Sequence, residues 1–115
     1  MNKDERRYED ALDVSMVIAS AKSFLFAQVW KAIKPRMKKT TSPQDLEMVR
    51  RLVREIVSGL PDGDFLVPLE VARSKETLEA YLRKRFETEG LVERIIREFD
   101  ERITRRDKSL KAFFG

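Results

Sequence analysis

The longest apolar stretch of the chain runs from Leu12 to Ile33 and predicts a single long helix. Placed at about 100° per residue, its apolar side chains cover two broad faces. One face holds Tyr8, Leu12, Ala19, Phe26, Val29, Trp30 and Ile33; the other holds Val14, Val17, Ile18, Ala21, Phe24 and Leu25. The remaining polar strip is Glu9, Asp13, Ser20, Lys31 and Lys34. Such a helix packs on more than one side, so we expect it to be largely buried.

Pro35 predicts that this helix ends near Lys34, because a proline disfavours helical geometry in the residue before it. A second helix opens at Ser42, which suits the N-cap, with Pro43 in the first helical position. Its apolar residues repeat at three-four spacing: Leu46, Val49, Leu52, Val53, Ile56, Val57 and Leu60. Gly59 suits the position just after the helix.

Two more amphipathic segments follow, separated by Gly90, which ends or kinks the helix before it. Ser74 caps the first segment. Their inward residues are Leu78, Tyr81, Leu82 and Phe86, and then Leu91, Val92, Ile95, Ile96, Phe99 and Ile103. Residues 65–71 are either extended or a loop feeding a short helix that begins at Pro68. We favour the loop, because a lone strand has no partner in this chain.

The pattern therefore predicts an all-α fold, a compact bundle of about four to five helices around the long N-terminal helix. We expect residues 1–104 to form one domain and residues 105–115 to form a basic, apolar tail. Within the tail, Leu110, Phe113 and Phe114 are candidates for docking on the domain or on a protein partner. The apolar surface of the first helix also leaves homo-oligomerisation open.

Composition argues against catalysis. The chain contains no Cys and no His, so the commonest general base and the most reactive nucleophile are missing. Its four glycines form no phosphate-binding or dinucleotide-binding pattern. The acidic turn at residues 62–64 lacks the further ligands of a calcium loop. We expect a non-enzymatic protein without cofactor or metal.

The sequence also suggests where the protein works. The charged N-terminal residues lack the apolar core of a signal peptide. Lys22, Gln28 and Lys31 interrupt the long apolar stretch, which disfavours a membrane span. We expect a cytoplasmic protein. Scarce Asn and Gln beside abundant Glu, Arg and Lys is typical of hyperthermophiles and predicts a thermophilic source.

Positive charge is concentrated at one place. Charged residues make up 38% of the chain and the net charge is +4, but residues 14–40 contain six bases and no acid. Clustered cations release counterions from nucleic acid and so drive sequence-independent binding. If the second helix folds back antiparallel on the first, the predicted phosphate contacts are Lys31, Lys34, Arg36, Lys38, Lys39, Arg50, Arg51 and Arg54.

The segment from Ser74 to Thr77, followed by Gly90 to Arg94, resembles the recognition helix and following turn of winged-helix regulators. This resemblance covers about 20 residues and implies a DNA-binding helix followed by a β-hairpin wing. The implied reading face is Lys75, Glu76, Glu79 and Arg83. Half of that face is acidic, and an amphipathic helix pattern follows Arg94 where the family has its wing.

Three functions follow from these observations. The first is a non-enzymatic subunit that clamps nucleic acid within a larger assembly. In size, charge and helical character the chain resembles the small helical subunits of archaeal CRISPR ribonucleoproteins, which is a likeness of class. The second is a winged-helix-like DNA-binding transcriptional regulator. The third is a protein-interaction or scaffold module that binds no nucleic acid. The sequence leaves open RNA against DNA, the protein partners, the pathway and the oligomeric state.

Overall fold

The computed structural model describes residues 14–105 and Phe114, and the expected all-α fold is confirmed. Four α-helices account for most of this part of the chain: α1 is Val14–Ile33, α2 is Pro43–Ser58, α3 is Lys75–Glu89 and α4 is Leu91–Arg105. The described residues include no β-strand, only an isolated antiparallel bridge between Met37 and Phe114.

Helix α1 is the centre of the bundle and contacts all three of the other helices. Its buried residues follow an i, i+4 stripe: Val17, Ala21, Leu25, Val29 and Ile33. Helix α4 also contacts the other three helices, so α1 and α4 form the central pair while α2 and α3 flank them. The core contains residues from all four helices, with Phe65, Phe86 and Phe99 as its largest fully buried side chains.

The exposed strip of α1 is wider than the sequence predicts. Met16 is 56% exposed, and Ala19, Ser23 and Ala27 are exposed one turn apart along the same face. Three neighbouring helices cover only three sides of α1, and none of them packs over this fourth side. Phe24, Phe26 and Trp30 are partly buried at the edges of the core. Tyr8, Glu9, Leu12 and Asp13 lie outside the described residues.

The helix boundaries follow the local capping signals. Ser42 Oγ accepts a hydrogen bond from the Asp45 amide at 3.2 Å, and Ser74 Oγ accepts one from the Thr77 amide at 3.2 Å. Gly90 ends α3 in the left-handed conformation, with φ of 61°, which glycine adopts without strain. Gly59 caps α2 in the right-handed conformation instead, with φ of −79°.

The ambiguous segment between α2 and α3 contains no strand. It consists of two short 3-10 helices, Asp62–Phe65 and Val71–Arg73, joined by a loop. The amides of Val71 and Ala72 donate to the Pro68 carbonyl, so a helical turn starts close to the predicted position. Phe65 anchors this segment, since its buried ring meets the ring of Phe86 edge-on at 6.3 Å between centroids.

Candidate nucleic-acid interface

Helices α1 and α2 run antiparallel, which is the arrangement the predicted basic surface requires. Lys22 Nζ donates hydrogen bonds to the carbonyls of Ser58 and Leu60, at 3.2 and 2.9 Å. One turn further along α1, the ring of Phe26 lies beneath Arg50 and Arg54 of α2. The end of α1 therefore meets the start of α2, and the two groups of predicted cations lie on adjacent surfaces.

The first group surrounds the end of α1. Lys31, Lys34, Lys38 and Lys39 are exposed, and none of them forms an ion pair with another described residue. A 3-10 turn, Lys34–Arg36, carries the chain out of α1. The next residue, Met37, is 8% exposed and anchors the connector between α1 and α2, residues 34–42, to the core. The lysines thus extend into solvent from the chain on either side of this buried residue.

Arg36 belongs to the same group but is already engaged. Its Nη2 donates a hydrogen bond to Oδ1 of Asp100 at 2.8 Å, which is also an ion pair. Its guanidinium carbon lies 5.8 Å from the centroid of the Phe114 ring. The structure therefore directs Arg36 toward α4 and Phe114, while its lysine neighbours remain unpaired among the described residues.

The second group lies on α2. The guanidinium carbons of Arg50 and Arg54 lie 5.6 and 5.1 Å from the centroid of the Phe26 ring, within the range of cation–π attraction. Arg50 also pairs with Glu47 at 3.6 Å, and its Nε is buried without a hydrogen-bond partner. Arg51 is exposed about 100° further round the helix from Arg50 and takes no part in this contact.

Arg50 and Arg54 form one wall of a groove between α1 and α2 with a volume of about 450 Å3. Ala19, Ser23 and Phe26 of α1 form the opposite side. The lining also includes Lys22, but that side chain has a structural role. Besides its two carbonyl partners, Lys22 pairs with Asp62 at 2.8 Å and lies 5.5 Å from the Phe65 ring centroid.

A second groove, of about 440 Å3, lies between α1 and α3. Lys75 and Glu79 of α3 line it, together with Phe24. One turn beyond Glu79, the guanidinium carbon of Arg83 is 5.7 Å from the centroid of the Phe24 ring. From the sequence, Lys75 and Arg83 are expected only on a winged-helix reading face. Their i, i+8 spacing, which puts them on the same side of α3, was the available signal that both lie near one groove.

The predicted partner-binding residues have different outcomes. The ring of Phe114 is half-buried and meets the ring of Phe99 edge-on at 5.8 Å between centroids, so it docks on the domain itself. Leu110 and Phe113 lie outside the described residues. Where the winged-helix resemblance implies a β-hairpin wing, the chain forms α4, Leu91–Arg105.

Two further properties bear on function. In the part of the chain that the structure describes, no group of three or more acidic, His or Cys residues is arranged to hold a metal ion. The segment Val14–Arg36 is long and apolar enough to cross a membrane by length and composition alone, a test that core helices of soluble proteins also pass.

Comparison with protein-family models, curated proteins and solved structures finds no match to this chain.

Proposed function

We propose that this protein is a non-enzymatic helical subunit that binds the phosphate backbone of nucleic acid within a larger assembly. The observation that carries the proposal is the set of four exposed lysines around the end of α1, which are unpaired among the described residues. Lysines without acidic partners are available to pair with an external anion. Each phosphate they neutralise releases condensed counterions, which favours binding regardless of sequence.

The arginines of α2 extend this surface. Arg50 and Arg54 are held against Phe26. They therefore lose less side-chain entropy on binding a phosphate than an arginine without such a contact would lose. A guanidinium also matches a phosphate with two parallel N–H donors. In this proposal the lysines attract the nucleic acid, and the arginines held against Phe26 fix its position along the surface.

Protein partners are proposed because apolar side chains remain at the surface. Leu66 is 55% exposed and Val14 is 38% exposed, and both line a small apolar hollow with Leu69 and Ala72. A neighbouring subunit that covers this hollow would remove apolar area from water at about 25 cal/mol per Å2. We place subunit contact here, away from the lysines of the connector.

Fluorescence anisotropy over a salt series tests the proposal. We expect wild-type protein to bind labelled RNA or DNA with a slope of log Kd against log salt that reflects several phosphate contacts. The variant K38E/K39E should bind at least tenfold more weakly and show a shallower slope. The matched control is R94E/R97E, which changes the net charge equally on the exposed side of α4. Equal losses in both variants, or no binding by the wild-type protein at low salt, would overturn the proposal.

A further inference from the structure

The two grooves beside α1 form one continuous depression. Ala19 and Ser23 line the α1–α2 groove and also the α1–α3 groove, so the grooves meet over these two small residues. We name this surface the α1 trough. Its floor is the exposed face of α1, one wall is formed by Arg50 and Arg54, and the other by α3.

Cations fixed on aromatic rings stand on both sides of the trough. Arg50 and Arg54 lie against Phe26, and Arg83 lies against Phe24. Lys75 adds a further positive charge on the α3 side, and Glu79 is the acidic residue among those that line the two grooves. Arg50 and Arg54 make the α2 side positive, although Arg50 is also paired with Glu47. On the α3 side, Lys75 and Arg83, which lies on Phe24 one turn beyond Glu79, outnumber that one acid. Three of these cations are planar guanidinium groups.

The dimensions of the two grooves favour one kind of nucleic acid. Each groove lies between neighbouring helices, which pack about 8–10 Å apart, so neither groove on its own is wide enough for a duplex to enter. A single strand can enter either groove, because its backbone is thin and its bases are free to turn outward. The small side chains of Ala19 and Ser23 let that backbone approach the helix closely.

The planar cations supply a second reason. Bases of a single strand stack on aromatic rings and on guanidinium planes, and such stacking tolerates any sequence. A base in a duplex is already stacked between its neighbours and gains nothing from such a platform. Arg54 and Arg83 therefore offer binding energy that only an unpaired strand can use.

From this geometry, and resting on the proposed function, we infer that the ligand is a single-stranded nucleic acid that lies in the α1 trough, with phosphates on its positive walls and bases stacked on Arg54 and Arg83. The inference adds Arg83 and Lys75 to the interface and leaves out Arg51, which lines neither groove. It also distinguishes the trough from the lysines of the connector, which attract any polyanion.

The test compares a labelled oligothymidine strand of about 12 nucleotides, a length within the usual range of single-strand binding sites, with a duplex of equal length. The key variant is R54K/R83K, which keeps both charges and removes both planar groups. We expect it to bind the single strand about fivefold or more weakly, with the salt slope unchanged, and to bind the duplex as wild type does. The matched control R94K on α4 should behave as wild type. Thermal melting by circular dichroism confirms that each variant is folded.

The possible results separate the two proposals. Equal affinity of wild type for strand and duplex, or wild-type affinity in R54K/R83K, would overturn the trough while weakened binding by K38E/K39E still supports the proposed function. Poly-L-glutamate that competes as well as the single strand would also overturn the trough, since an acidic polypeptide has phosphate-like charge and no bases. Absence of binding to every nucleic acid would overturn the proposed function itself.

Discussion

Arg36 and Asp100 are 64 residues apart in the chain, yet they form a 2.8 Å ion pair that ties the end of α1 to α4. Both side chains are a little over 40% exposed, so the pair contributes at most about 1 kcal/mol to stability. Its larger consequence is for the candidate interface. Arg36 is the one predicted phosphate contact of the connector that an acidic residue of the described chain neutralises.

Replacing Asp100 should therefore release a cation. We expect D100N to bind nucleic acid about two- to threefold more tightly at low salt and to increase the salt slope by somewhat less than one, as for one added phosphate contact. Anisotropy over a salt series measures both quantities. E101Q makes the same change in charge at an exposed neighbour and serves as the control. Equal gains in the two variants would mean that net charge, and not Arg36, is responsible.

The contact between Phe114 and Phe99 predicts a stabilising role for Phe114. F114A removes an edge-on aromatic pair and part of the cover over a fully buried ring, so we expect a loss of about 1–2 kcal/mol in the free energy of unfolding. Urea denaturation followed by circular dichroism measures this loss. L66A, which truncates an exposed apolar side chain, should change stability by less than about 0.5 kcal/mol.

The same contact bears on the prediction that Phe114 binds a partner. A ring docked on Phe99 can engage another protein only after it leaves the domain. Full stability of F114A would show that the docked position contributes nothing and would leave the ring free for a partner.

The buried stripe of α1 predicts a steep difference within one helix. L25A creates a cavity at a fully buried position in contact with the core and should cost about 2–5 kcal/mol. M16A truncates a side chain of similar size on the exposed face and should cost less than about 0.5 kcal/mol. Urea midpoints for the two variants give the comparison. Similar losses would place α1 differently in the bundle.

Gly90 joins α3 to α4 and is the only described residue with positive φ. G90A places a side chain in the left-handed region, so we expect it to lower the unfolding free energy by about 1–2 kcal/mol. G63A is the control, because a methyl group at Gly63 meets no atom within 4 Å and its φ is not positive. A melting temperature for G90A equal to that of G63A would contradict this role.

Much of the fold is predictable because its signals are local. The start of α2 follows from Ser42 and Pro43, whose caps act within one turn, and the end of α3 follows from Gly90. The inward face of α2 is clear because its polar and apolar residues separate cleanly. These features depend on residues three or four apart, which a sequence displays directly.

The exposed face of α1 is harder to predict, because Ala19, Ser23 and Ala27 suit either a buried or an exposed position. Their environment depends on how many helices surround α1, which its own sequence does not encode. The partners of Arg36 and Arg83 are unpredictable for the same reason. Asp100 comes close to Arg36, and Phe24 to Arg83, only through the docking of whole helices.

The connections divide the bundle into two helical hairpins, α1 with α2 and α3 with α4. Each hairpin carries one wall of the α1 trough, so the trough exists only when the hairpins are docked. Any ligand that spans both walls therefore binds the assembled state alone and adds its binding energy to the stability of the fold. Ligand recognition and the final step of assembly become a single linked equilibrium, in which occupancy of the surface reports that the core behind it is complete.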